Sequence, residues 1–187
     1  MDRARAPAAR DIAEVIVPGG EVRRRVAALA GEIAAAAGGG PLTMVAVMEG
    51  ARTFARDLRR RLPMPVELRE VDARSYRGAS ASPGPVELTW RAPGPPAGRD
   101  VLIVDDILDT GATLAAVVEA VRAGRPASLR TCVLLRKRRP GVRRAVAPDF
   151  VGFDIPDVFV VGYGLDFDGR FRDLPDIAAL GRGGGSP

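Results

Sequence analysis

The chain of 187 residues contains no histidine and one cysteine. Without imidazole there is no Ser-His-Asp or Cys-His catalysis, and no zinc site that needs a histidine ligand. A lone cysteine, Cys132, forms neither an internal disulfide nor a cysteine-rich metal site. Its apolar neighbours Val133, Leu134 and Leu135 mark it as a small core residue. No apolar run approaches the ~20 residues that span a bilayer. The stretch Met1–Pro18 lacks the apolar centre of a signal peptide, and Asp2, Asp11 and Glu14 argue against an organellar transit segment. The expected location is cytoplasmic. Solenoid-length repeats are absent, and so is the GxxxxGK[ST] phosphate loop.

Lys and Arg total 28 against 23 Asp and Glu, a net charge of +5, with a sequence pI near 10.5. A basic balance favours an anionic partner such as nucleic acid, a phosphorylated metabolite or a membrane surface, without choosing among them. The length suits one domain, expected over 11–180, with 1–10 and 181–187 as flexible ends.

Short apolar runs alternate with helical patterns. Val22, Val26, Leu29, Ala30 and Ile33 predict an amphipathic helix over about 21–37, stopped by Gly38-Gly39-Gly40-Pro41. Leu42–Val47 reads as a buried strand. Phe54, Leu58 and Leu62 mark a second helix, whose outer face carries Arg52, Arg56, Arg59 and Arg60 as a solvated basic face. Val66–Asp72 reads as a strand, 73–85 as a mobile loop, and Val86, Leu88 and Trp90 as a half-exposed strand. That loop therefore joins two antiparallel strands and has the form of a lid. Val101–Val104 is a continuous apolar run, as in a parallel strand covered on both faces. A helix follows through Leu114, Val117, Val118 and Val121, then strands at Leu129–Leu135, Phe150–Phe153 and Val158–Val161. The order predicts an α/β fold with a mostly parallel central sheet, in which ligands bind at the carboxyl ends of the strands.

The residues after Val104 carry the chemistry. Asp105, Asp106 and Asp109 place three carboxylates within five positions, ahead of Thr110-Gly111-Ala112-Thr113 at a helix start. The helix start offers unpaired N–H groups and two hydroxyls to a phosphate. The carboxylates suit sugar hydroxyls or Mg²⁺. A helix cap accounts for Asp109 or Thr110, but not for three crowded carboxylates that repel one another.

The segment VLIVDDILDTGATL resembles the phosphoribosyl-pyrophosphate (PRPP) motif of type I phosphoribosyltransferases. Leu134-Leu135-Arg136-Lys137, Asp149–Gly164 (DFVGFDIPDVFVVGYG), Leu165-Asp166 and Phe171-Arg172-Asp173-Leu174 narrow the resemblance to hypoxanthine-guanine phosphoribosyltransferases. It runs from about Val15 to about Leu180 and implies a small hood and a flexible antiparallel lid loop beside the parallel sheet.

The resemblance implies that Asp105 and Asp106 hold the ribose hydroxyls and stand with Asp166 near Mg²⁺. Asp105 takes the place of the family's usual Glu. Asp109 faces N7 of the purine as general base or acid, and Thr110, Gly111, Ala112 and Thr113 wrap the 5′-phosphate. Lys137 donates to the purine 6-oxo group; an ammonium only donates, which disfavours the 6-amino group of adenine. Phe159 stacks on the base and Val160 meets it through its main chain. Arg172, Glu49 and Gly50 are placed at pyrophosphate, and Ser75 and Tyr76 on the lid, where Arg74 precedes Ser75 in place of the family's usual Ser. At Met48-Glu49-Gly50 the family usually reads Leu-Lys-Gly, with a cis peptide before the Lys position, so Met48–Glu49 is expected to be cis. Glu49 puts an anion where the family has a cation, which repels pyrophosphate unless the side chain turns away.

The activity so implied is Mg²⁺-dependent transfer of phosphoribose from PRPP to N9 of hypoxanthine or guanine, in purine salvage. Two alternatives stand beside it: a PRPP- or nucleotide-sensing regulator on the same fold, and the same chemistry on xanthine. A homo-oligomer, dimer or tetramer, is implied, with neither membrane nor nucleic acid as an expected partner.

Overall fold

The computed structural model describes residues 12–75, 86–91, 93–142 and 144–181. The elements are β1 (Ile12–Val17), α1 (Gly19–Ala37), β2 (Leu42–Met48), α2 (Arg52–Arg59), β3 (Val66–Ser75), β4 (Val86–Trp90), β5 (Asp100–Leu108), α3 (Ala112–Ala123), β6 (Ser128–Lys137), β7 (Phe150–Ile155), β8 (Val160–Val161) and β9 (Ile177–Leu180).

Six strands form the main sheet in the order β4-β3-β2-β5-β6-β7. All neighbours run parallel except β3 and β4, which pair antiparallel from Val71↔Trp90 to Ser75↔Val86. The unbroken apolar runs reflect two covered faces, because successive side chains in a strand point to opposite sides. In β2, Met44, Ala46 and Met48 join the core under α1 and α2, while Val45 and Val47 join the core under α3. In β5, Leu102 and Val104 belong to the first and Val101 and Ile103 to the second. Each fully buried aliphatic side chain of this kind contributes roughly 1.5–3 kcal/mol.

Helix α1 buries Val22, Val26, Leu29, Ala30 and Ile33 and ends at Gly38 in the left-handed conformation (φ 67°). It starts at Gly19, two residues before the expected position. Pro18 offers no capping side chain; instead Gly19 N donates to Asp176 Oδ1 at 2.7 Å, from the segment leading into β9.

A second, antiparallel sheet of order β1-β9-β8 forms the hood. The sequence patterns gave no strand at 12–17 or 177–180, and the expected strand Val158–Val161 shrinks to Val160–Val161. These strands are short, and their partners lie far apart in the chain. Val160 pairs with Ala179, and Leu180 N donates to Phe159 O at 3.1 Å. Among the described residues no helix is long and apolar enough to cross a membrane. The expected flexible ends lie outside the described residues except for Gly181, and so do 76–85 of the expected lid loop.

Candidate active site

The carboxyl ends of β2, β5 and β6 and the segment around β8 enclose a cavity of about 370 Å³. Asp106 and Asp109 enter it from the end of β5 and Lys137 from the end of β6. Phe159, Val160 and Asp166 enter from the hood side, and Glu49 and Gly50 from the turn after β2. Residues up to 117 positions apart in sequence, from Glu49 to Asp166, thus meet on one cavity.

The adjacent carboxylates Asp105 and Asp106 lie in contact with each other but line different cavities. Alternation along β5 sends Asp106 to the main cavity and Asp105 to a second one of about 60 Å³, walled by the turn Asp109–Thr113 and Leu114. This second cavity is the predicted phosphate loop, at the mouth of α3, where first-turn N–H groups lack intrahelical partners. Thr110 Oγ1 accepts from Ala112 N at 3.4 Å, and Gly111 precedes the helix with φ 86°.

Asp105 is 4% exposed. Its Oδ1 accepts from Asp106 N at 3.0 Å, and Asp106 Oδ1 accepts from Ile107 N at 2.8 Å. Burial, with the Asp106 charge added to it, holds the Asp105 carboxyl well above the usual carboxylate range. Burial raises Asp106 as well. Gly50 makes this crowding feasible. A Cβ built there would lie 1.6 Å from Asp106 Oδ2, so the carboxylate occupies the space a side chain would need.

The Asp109 carboxylate is tied down, with the Lys137 ammonium near it at longer range. Arg139 Nη1 donates to Asp109 Oδ1 at 2.6 Å, and Lys137 Nζ stands 3.6 Å from Asp109 Oδ2. Arg144 Nε donates to the Asp109 carbonyl at 2.8 Å, and its Nη2 to the Lys137 carbonyl. Phe159 is 54% exposed, large for a Phe beside a core strand, and meets Phe167 edge-on at 5.6 Å. Its free face is available to a planar ligand.

The peptide Met48–Glu49 is cis, as expected from the resemblance. The Glu49 carboxylate has cationic company: Oε1 accepts from Arg52 Nη2 at 3.0 Å and from Arg91 Nη2 at 2.7 Å. Arg91 also grips Asp72 through two bonds of 2.6 Å, which holds the Asp72 carboxyl below its usual value. The repulsion expected of Glu49 is therefore offset locally.

Arg172 is set apart from the main cavity. It pairs with Asp166 Oδ1 at 2.9 Å but lines a neighbouring cavity of about 300 Å³ with Arg23, Arg56 and Tyr163. Ser75 ends β3 opposite Val86, and Tyr76 lies outside the described residues. Arg91, Arg139, Arg144 and Asp157 were not singled out from sequence. A signal existed for Arg139: two residues beyond Lys137 along an extended chain, it falls on the same face. None existed for Arg91, whose partner Glu49 is 42 residues away.

Among the described residues no three Asp, Glu, Cys or His gather into a metal cage. Mg²⁺ does not require one, since it is held through one or two carboxylates with waters and substrate phosphates. Two adjacent carboxyls pushed up by burial also have need of positive charge, so the donor set fits that ion.

Comparison with known proteins agrees with this geometry. The phosphoribosyl transferase domain model matches residues 14–168. The hypoxanthine-guanine phosphoribosyltransferase of Mycobacterium avium is 41% identical over 177 residues, covering 91% of this chain and 86% of its own. The hypoxanthine phosphoribosyltransferase of Salmonella typhimurium is 38% identical over 170 residues, covering 89% and 94%. A ternary substrates complex of the hypoxanthine phosphoribosyltransferase of Trypanosoma cruzi superposes with a TM-score of 0.84 at 34% identity, covering 92% of this chain and 97% of that one. The chain belongs to the phosphoribosyltransferase family, among its hypoxanthine-guanine enzymes.

Proposed function

We propose that the 370 Å³ cavity joins PRPP to hypoxanthine or guanine, giving IMP or GMP and pyrophosphate, with residues 11–180 acting as one unit. The observation that carries the assignment of roles is the convergence of Asp106, Asp109, Lys137 and Phe159 on that one cavity beside the phosphate-loop cavity. The 5′-phosphate binds at Thr110–Thr113 and the ribose hydroxyls at Asp105 and Asp106. The base stacks on Phe159, meets the Val160 main chain and gives its 6-oxo group to Lys137. As the bond from the anomeric carbon to the pyrophosphate oxygen breaks and the bond to N9 forms, the proton on N7 passes to the Asp109 carboxylate. Asp105, Asp106 and Asp166 would hold Mg²⁺, which when bound neutralises charge on the departing pyrophosphate. Glu49 and Gly50 contact pyrophosphate through their backbone, while Arg52 and Arg91 neutralise the Glu49 side chain. Arg172 would swing from Asp166 toward the pyrophosphate.

The test is a product assay. Purified protein, PRPP and Mg²⁺ are supplied with hypoxanthine, guanine, xanthine or adenine in turn, and nucleotides are resolved by chromatography. IMP or GMP without AMP is the expected result, with relative rates giving the base preference. No nucleotide from any base, in a folded protein that binds GMP, overturns catalysis and leaves a nucleotide-binding regulator.

A further inference from the structure

Two cations and two carboxylates alternate in one cluster at the edge of the cavity, which Asp109 and Lys137 line and Arg139 and Asp157 back. Arg139 Nη1 donates to Asp109 Oδ1 at 2.6 Å, and its Nε lies 2.9 Å from Asp157 Oδ2. Lys137 Nζ lies 3.6 Å from Asp109 Oδ2 and 3.4 Å from Asp157 Oδ1. Both cations therefore address the same two carboxylates, but unequally. Arg139 makes the short contacts, with the forked geometry that suits two acceptors at once. Lys137 stands beyond the usual N–H···O range of 2.7–3.2 Å on both sides. It is attracted, but among the described residues its ammonium makes no short hydrogen bond.

That inequality has a consequence for the base. If Lys137 alone neutralised Asp109 and Asp157, both carboxylates would close on its ammonium and direct its donors away from a 6-oxo group. If instead Lys137 left them for the base, two like charges would face each other with no cation between them. Arg139 relieves both problems. It keeps the pair of carboxylates neutralised whether Lys137 faces them or the base. Arg144, which holds the Asp109 and Lys137 carbonyls, fixes the two backbones across which this exchange occurs.

We propose that Arg139 is a positioning residue that sets affinity for the 6-oxopurine by leaving the Lys137 ammonium available, with Asp157 as its competitor for that ammonium. The proposal rests on the reading of Lys137 given above. It goes further in assigning base affinity to two residues that need not touch the base.

The experiment compares the full-length wild type with Arg139→Ala, Asp157→Asn and the double variant. It measures kcat, the KM of guanine and of PRPP separately, and the Kd of GMP by calorimetry. Loss of charge-assisted hydrogen bonds of this kind corresponds to roughly tenfold to a hundredfold. Arg139→Ala is expected to raise the guanine KM and the GMP Kd by at least about tenfold, with the PRPP KM held within about twofold. Asp157→Asn in that background is expected to recover most of the loss, because one competing carboxylate no longer captures Lys137. A structural defect would not be rescued in this way. A guanine KM within about twofold of wild type, or a double variant no better than Arg139→Ala, overturns the proposal. Should Arg139→Ala fail to fold, Arg139→Lys replaces it, keeping the charge but not the fork. A raised guanine KM with unchanged PRPP KM then supports the proposal, and an unchanged guanine KM refutes it. If the wild type forms no nucleotide, the catalytic reading fails by itself, and the GMP affinities still decide the role of Arg139.

Discussion

Replacing Gly50 by Ala tests whether the fit between the turn after β2 and the acidic end of β5 is required. The new methyl would lie 1.6 Å from Asp106 Oδ2 and 2.6 Å from its Cγ. Real Cβ atoms essentially never come within 3.0 Å of such a neighbour, so the carboxylate must retreat by about 1.4 Å. In retreating it leaves the main cavity and pulls its Oδ1 from the Ile107 N–H that it accepts at 2.8 Å. Overpacking of this sort costs about 1–3 kcal/mol, and the lost hydrogen bond about 1 kcal/mol more. For a chain of this size each kcal/mol moves Tm by about 2–4 °C, so the fall should be several degrees. A displacement of about 1 Å in a positioning group can cost 10²-fold in rate, and kcat/KM for PRPP should drop by that order. The assay pairs thermal unfolding with initial rates of GMP formation. The double variant Gly50→Ala/Asp106→Ala separates the two effects: it should recover most of the lost Tm, since the clash is gone, and none of the lost activity. A Gly50→Ala protein with unchanged Tm and kcat/KM within about threefold of wild type would refute the reasoning.

Asp109→Asn should lower kcat by about 10²–10⁴ while the protein stays folded by circular dichroism, and near wild-type turnover would remove Asp109 from proton transfer. Glu49→Gln should lower the PRPP KM severalfold at low ionic strength, because Arg52 and Arg91 lose an anionic partner beside the pyrophosphate position; the gain should shrink at high salt, and a raised KM counts against this placement. Asp105→Asn addresses stability against pH. Burial raises the folded-state pKa of Asp105 above its ordinary 3.8, so its contribution is fully present below 3.8 and is lost as pH rises through the folded value. Asn has no such loss. Without substrate, the variant should therefore melt above wild type at neutral pH, with the difference closing toward pH 4; a variant less stable at every pH contradicts the account.

The local chemistry of this protein was written in its sequence. The apolar runs of β2 and β5 dictated a sheet covered on both faces, the spacing of Val22 to Ile33 dictated α1, and Gly38 its end. Asp105, Asp106 and Asp109 announced an anionic turn at a strand mouth, because a cluster of like charges after a buried strand has no structural use. All of these depend on contacts within one element or between close neighbours.

Tertiary structure decided what depends on distant partners. The hood strands β1 and β9 form because the two ends of the described chain pair with each other, from Ile12↔Leu180 to Val17↔Ile177. The N-terminus of α1 is capped by Asp176, 157 residues away. Glu49 looked repulsive in sequence, and its charge is offset only because folding brings Arg91 across 42 positions to pair with it. The sequence resemblance places Lys137 at the base but says nothing of Arg139; only the fold sets Asp109 and Asp157, from the ends of other strands, against both cations. Periodicity reports which face a residue takes, whereas charge pairing depends on which other face it meets, and that is fixed only when the strands are laid side by side.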